Sequence, residues 1–136
     1  MARRFAITVD TALLLAQDRA TVPDDHAMVA PTLLRSQVLS YLYAAVRRGE
    51  MEKREADLRL DHIRGLRIRL LGDRVLQRHA WDIASKLGWA DTYAAEYIAV
   101  TRLQADVLVT GDAELAAAAR AFVTVCSVGA LLGGDG

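Results

Sequence analysis

Cysteine is nearly missing from this chain, and with it goes a class of architectures. A single thiol, Cys126, stands in the 136 residues, so no disulfide framework is possible and burial must hold the fold together. Cys126 lies inside the apolar run Phe122 to Val128, where a small buried hydrophobe is the expectation rather than a nucleophile. Lysine is almost absent as well, at two against fifteen arginines. Arginine's planar fork suits phosphate and carboxylate, but a GC-rich genome produces the same bias. Net charge is also lacking: seventeen basic and seventeen acidic residues cancel, so any attraction to phosphate must come from a local patch. The longest apolar stretch, Ala121 to Leu132, falls short of the roughly 18 residues a membrane span needs. No signal segment, membrane anchor or internal repeat is visible, and a cytoplasmic protein without a membrane partner is the expectation. There is no Gly-rich phosphate loop and no Ser-His-Asp or Cys-His order. The three histidines, His26, His62 and His79, have no ligand spacing to one another or to Cys126, which disfavours zinc.

What remains is an ordinary soluble composition, 53% hydrophobic and 25% charged, at a length that fits one domain over residues 1–136. Strand and helix signals alternate. Phe5 to Val9 is a short β-rich run, followed by a helical stretch, Thr11 to Ala16, and a turn around Pro23-Asp-Asp25. Pro31 is placed to open an amphipathic helix through Arg48, stopped by Gly49, and a charged helix is expected over Met51 to Ile63. Leu66, Ile68 and Leu70 alternate with Arg67 and Arg69 as a strand with one wet face. Asp73 is a good N-cap for a helix ended by Gly88, and Asp91 can cap the helix Thr92 to Leu103. A strand Val107 to Thr110, a helix Ala113 to Ala119 and a strand Phe122 to Val125 complete the chain. This alternation predicts an α/β fold with a mainly parallel sheet between helical layers.

Two carboxylates sit where the apolar strands run out, Asp10 after Val9 and Asp112 just beyond Thr110. In a parallel sheet such strand ends meet at one edge, so residues a hundred positions apart can converge on one metal ion. Each aspartate also has a plain structural reading, as the N-cap of the helix that follows.

The stretch Tyr93-Ala-Ala-Glu-Tyr-Ile-Ala-Val-Thr-Arg-Leu-Gln-Ala-Asp-Val-Leu-Val-Thr-Gly-Asp112, taken with the Asp10 strand and the Pro31 helix, resembles a PIN domain of the VapC toxin type. The resemblance covers essentially the whole chain. It implies a three-layer α/β/α domain, an endoribonuclease dependent on Mg²⁺ or Mn²⁺, an RNA substrate, a cognate antitoxin as protein partner and a homodimer. Asp10 and Asp112 match the first and last of the four acids in that pattern. The other two acids are replaced: Gln37 stands where the pattern has Glu, and Ala94 where it has the third acid. A Gln oxygen can orient a metal-bound water, yet it brings no charge and cannot act as a base. Asp91, three residues before Ala94, would share a helical face with it and is the candidate substitute. The implied site is thus Asp10, Gln37, Asp91 and Asp112, with Asp10, Asp91 and Asp112 as metal ligands and Arg35 and Thr110 contacting substrate. Asp91 as a helix cap and Gln37 as a surface amide are the competing readings. Thr110 is equally a β-favouring strand residue, and Tyr93 and Tyr97 read as core packing before a base-stacking platform.

Five arginines, Arg64, Arg67, Arg69, Arg74 and Arg78, fall within fifteen residues. They could line a path for RNA toward an acidic site, or be solvated surface charge. With two acids of four missing, two functions stand side by side: a metal-dependent ribonuclease, and a non-catalytic protein of the same fold that binds RNA or an antitoxin.

Overall fold

The computed structural model of the chain describes residues 3–134. Its centre is one five-stranded sheet: β1 (Arg3–Ile7), β2 (His26–Pro31), β3 (Ile68–Leu71), β4 (Val107–Val109) and β5 (Val125–Cys126). The spatial order is β3-β2-β1-β4-β5 and every pairing is parallel. Phe5, Ala6 and Ile7 in β1 are fully buried, and all three residues of β4 are at most 2% exposed. Consecutive burial of this kind means that both faces of the sheet are covered, which parallel β-α-β connections require. The cover consists of α1 (Val9–Gln17), α2 (Leu33–Arg47) and α3 (Lys53–Gly65), which touch one another, and of α4 (Arg74–Leu87) lying on α5 (Tyr93–Gln104). The short helices α6 (Ala113–Ala119) and α7 (Val128–Leu131) flank β5. Among the described residues no helix is long and apolar enough to cross a membrane.

Local chemistry sets several boundaries as expected. The Asp73 carboxylate accepts the backbone N–H of Leu76 at 2.9 Å and starts α4, and Gly88 ends it at φ +68°, where a Cβ is unfavourable. Other boundaries differ from the sequence reading. β1 stops at Ile7, because Thr8 is the N-cap of α1, so Asp10 belongs to the first helical turn and not to the strand end. Pro31 does not open a helix; it is the last residue of β2, and α2 begins at Leu33. β2 itself carries no sequence signal, since its central residues Met28, Val29 and Ala30 are buried on both faces and show no alternation. The last strand is Val125–Cys126 instead of Phe122 to Val125, and α7 follows it.

Candidate functional site

The connections from β1 to β2 and β3 build outward on one side, and the chain then crosses back to lay β4 against the other side of β1. The direction of winding reverses between β1 and β4. In open parallel sheets that reversal leaves a crevice beyond the C-terminal strand ends, the place where ligands bind. Asp10 follows β1 and Asp112 follows β4, so the two acids flank this point.

Asp10 is held by three hydrogen bonds. Its Oδ1 accepts from the Thr8 hydroxyl at 2.6 Å and from the Thr110 hydroxyl at 3.0 Å, while its Oδ2 accepts from the Gly111 backbone N–H at 2.7 Å. Thr8 Oγ1 also lies 2.9 Å from the Val109 carbonyl, and so does Thr11 Oγ1. Each hydroxyl has one proton, so the charge-assisted bond takes that of Thr8 and Thr11 serves the carbonyl. Thr110 then ties the two acids together: its oxygen accepts the Asp112 backbone N–H at 3.0 Å as its proton goes to Asp10. The Asp112 carboxylate uses Oδ1 to cap α6, accepting from Glu114 N at 3.0 Å and Leu115 N at 3.2 Å. Both readings of these aspartates meet here, since the cap engages only one oxygen of Asp112 and Asp10 Oδ2 accepts a single bond.

Gln37, on α2, reaches toward α5, where its Oε1 accepts the Tyr97 hydroxyl at 2.6 Å. Burial, reinforced by the charges of Glu96 and Asp10, pushes the Tyr97 phenol well above its ordinary value. The phenol therefore remains protonated and donates to the amide. Tyr97 is 3% exposed, a core residue with a polar tip, whereas Tyr93 is 55% exposed. Among the causes of that rise is the charge of Asp10, so the Gln37–Tyr97 pair lies within electrostatic range of that carboxylate. Glu96 also belongs to this neighbourhood. Half-buried on the first turn of α5, it has its carboxyl raised by desolvation. Sequence reading does not single it out; the hint is an acid one residue before a buried tyrosine.

Other expected members are not brought in. Asp91 precedes the N-cap of α5, so the shared helical face proposed with Ala94 does not exist. Its carboxylate is exposed and accepts the Tyr93 backbone N–H at 3.3 Å, a local turn bond. Arg35 is two residues from Gln37 and hence about 200° away around α2. It lines a separate groove of about 540 Å³ formed by α2, α3 and β3, with Leu34, Val38, Leu60, Ile63 and Ile68 as apolar walls. Among the described residues no three His, Cys, Asp or Glu side chains form a group that could hold a metal ion. The acids that flank the reversal point are the two carboxylates of Asp10 and Asp112, linked through Thr110. That suits Mg²⁺, which binds through one or two carboxylates and completes its octahedron with water and substrate phosphate.

No protein-family model and no curated protein matches the sequence. Solved structures do match in three dimensions. PAE2754 from Pyrobaculum aerophilum superimposes with a TM-score of 0.73 at 22% identity, covering 97% of this chain and 96% of that one. VapBC2 from Rickettsia felis, solved bound to a DNA fragment from its promoter, gives a TM-score of 0.62 at 8% identity, over 91% of this chain and 98% of that one. The chain has a PIN-like fold. The all-parallel strand order agrees with the sequence expectation of a mainly parallel sheet.

Proposed function

We propose that this chain is a divalent-metal-dependent endoribonuclease of the VapC toxin type, held in check by an antitoxin protein. The observation that carries the reading is the Asp10–Thr110–Asp112 unit at the reversal point of a PIN-like sheet. Asp10 and Asp112 would hold Mg²⁺ or Mn²⁺, which when bound lowers the pKa of water and offsets phosphate charge. The chain's own groups supply position. Thr8, Thr110 and Gly111 fix the orientation of Asp10 before any substrate arrives, which spares reorganisation at the moment of reaction. Gln37, pinned by Tyr97, offers a neutral oxygen that orients water without accepting a proton. Asp91 enters this proposal only as a residue whose loop must move to reach the site, and Arg35 as a contact outside it.

The VapBC2 likeness supports a protein partner, and the α2–α3–β3 groove has the apolar walls that an amphipathic helix fills. Arg35 in its lining, in no ion pair among the described residues, favours an acidic partner face. The competing reading, a binder without turnover, is favoured by the two-carboxylate donor set and the neutral residues at positions 37 and 94. Incubation of the purified chain with single-stranded RNA decides between them. Cleavage that requires Mg²⁺ or Mn²⁺ and disappears in Asp10→Asn supports the nuclease. Intact RNA at every metal concentration, with tight partner binding retained, establishes the binder.

A further inference from the structure

At the opposite end of the strands lies a second site with the reverse chemistry. A cleft of about 860 Å³ opens at the N-terminal edge of the sheet, and Arg4, Arg67 and Arg69 line it. The strand register puts the three on one face. Ala6 aligns with Val29 and Val29 with Arg69, so Arg69 shares the face of Ala6, and with it that of Arg4, two residues earlier. Arg67 stands two residues before Arg69 and follows the same side. Among the described residues none of these guanidinium groups is in an ion pair.

The acids nearby offset this charge only in part. Asp61 lines the cleft but is bonded to Arg64 at 2.8 Å, and Asp106 accepts the Arg4 backbone N–H at 2.8 Å. Asp24 is the one remaining carboxylate in the lining. Two histidines stiffen the walls: His26 Nδ1 bonds the Leu131 carbonyl at 2.7 Å, and His62 Nε2 bonds that of Ala20 at 2.9 Å. Three like charges gathered on one face repel unless something anionic sits between them. Guanidinium forks match phosphate oxygens two at a time. The volume matches that of small-ligand sites.

We infer that this cleft binds a phosphate ester of mononucleotide size through Arg4, Arg67 and Arg69, independently of the carboxylate edge. Titration calorimetry of the full chain in low-salt buffer with a metal chelator tests it, using inorganic pyrophosphate and adenosine 5′-diphosphate as probes and citrate as a polyanion without phosphorus. The expected result is saturable binding of both phosphate probes, weakened about tenfold or more in Arg67→Ala/Arg69→Ala and unchanged in Asp10→Asn. Arg4→Gln, a milder change, should weaken it in the same direction, and thermal melting confirms that each variant is folded. Absence of binding overturns the inference. So does equal affinity for citrate, or affinity that the arginine variants leave intact or that Asp10→Asn removes.

Discussion

The two edges of the sheet use charge in opposite ways. At the C-terminal edge, Asp10 and Asp112 are bonded by hydroxyls and backbone N–H groups, and the shared Thr110 fixes their relation. The arginines Arg4, Arg67 and Arg69 at the N-terminal edge have no ion pair among the described residues. A formal net charge of zero therefore hides a separation along the strands. Groups proposed to hold a small cation gain from being placed before it arrives, and the hydrogen-bond network places these two. Long flexible cations that meet a large anion adapt on contact and need no such framework. Stability should be sensitive to the first edge and indifferent to the second.

The largest effect expected from that contrast is on Asp10→Ala. It strands two hydroxyls and the Gly111 N–H, and should cost about 2–3 kcal/mol in urea unfolding. Arg67→Ala, at the other edge, should stay within about 0.5 kcal/mol. Equal losses would erase the distinction. Next comes Ala94→Asp, which adds a carboxylate on the first turn of α5, near Glu96 and Tyr97. Under the nuclease proposal, Mg²⁺-dependent RNA cleavage should rise about tenfold, the equivalent of one stronger ligand contact. A flat rate would show that position 94 lies outside the ligand set.

Tyr97→Phe should cost about 1 kcal/mol, because it leaves the Gln37 oxygen without its donor. A matching loss in Gln37→Leu, with no further loss in the double variant, would confirm that the two act as one unit. The smallest effect concerns Glu96, whose carboxyl is raised by desolvation in the fold. The native state then holds its proton to higher pH than the unfolded chain. Its favourable contribution is complete below the ordinary glutamate value and is lost as pH rises through the raised one. Glu96→Gln should remove that slope and slightly raise the melting temperature at neutral pH. Parallel pH profiles for the two proteins would refute the assignment.

What the sequence alone shows of this molecule divides along physical lines. Caps and helix ends are local chemistry, and Asp73 and Gly88 are where the sequence puts them. Strand–helix alternation and parallel pairing follow from segment order. β2 was invisible, since His26-Ala-Met-Val-Ala-Pro31 is a strand buried on both faces and its terminal proline imitates a helix start. The placement of Asp10 beyond β1 and of Asp112 beyond β4 follows from segment order, while the bond from Thr110 to Asp10 does not. The parts that need three dimensions are contacts between distant segments: Thr8 and Thr11 converging on Val109, and Tyr97 on Gln37. That Asp91 lies ahead of α5 and that Arg35 lines the α2–α3–β3 groove are likewise facts of the folded chain that segment order does not give. The run of five arginines was not one path either, because Arg67 and Arg69 line the N-terminal cleft while Arg74 and Arg78 lie on α4.

The central claim is that the carboxylate edge holds a divalent cation, and Mn²⁺ titration of the intact chain by calorimetry tests it most directly. The expected result is weak saturable uptake that Asp10→Asn or Asp112→Asn abolishes and that Arg67→Ala/Arg69→Ala leaves as it was. Uptake of the same strength in both aspartate variants, or none in the unaltered protein, would contradict it.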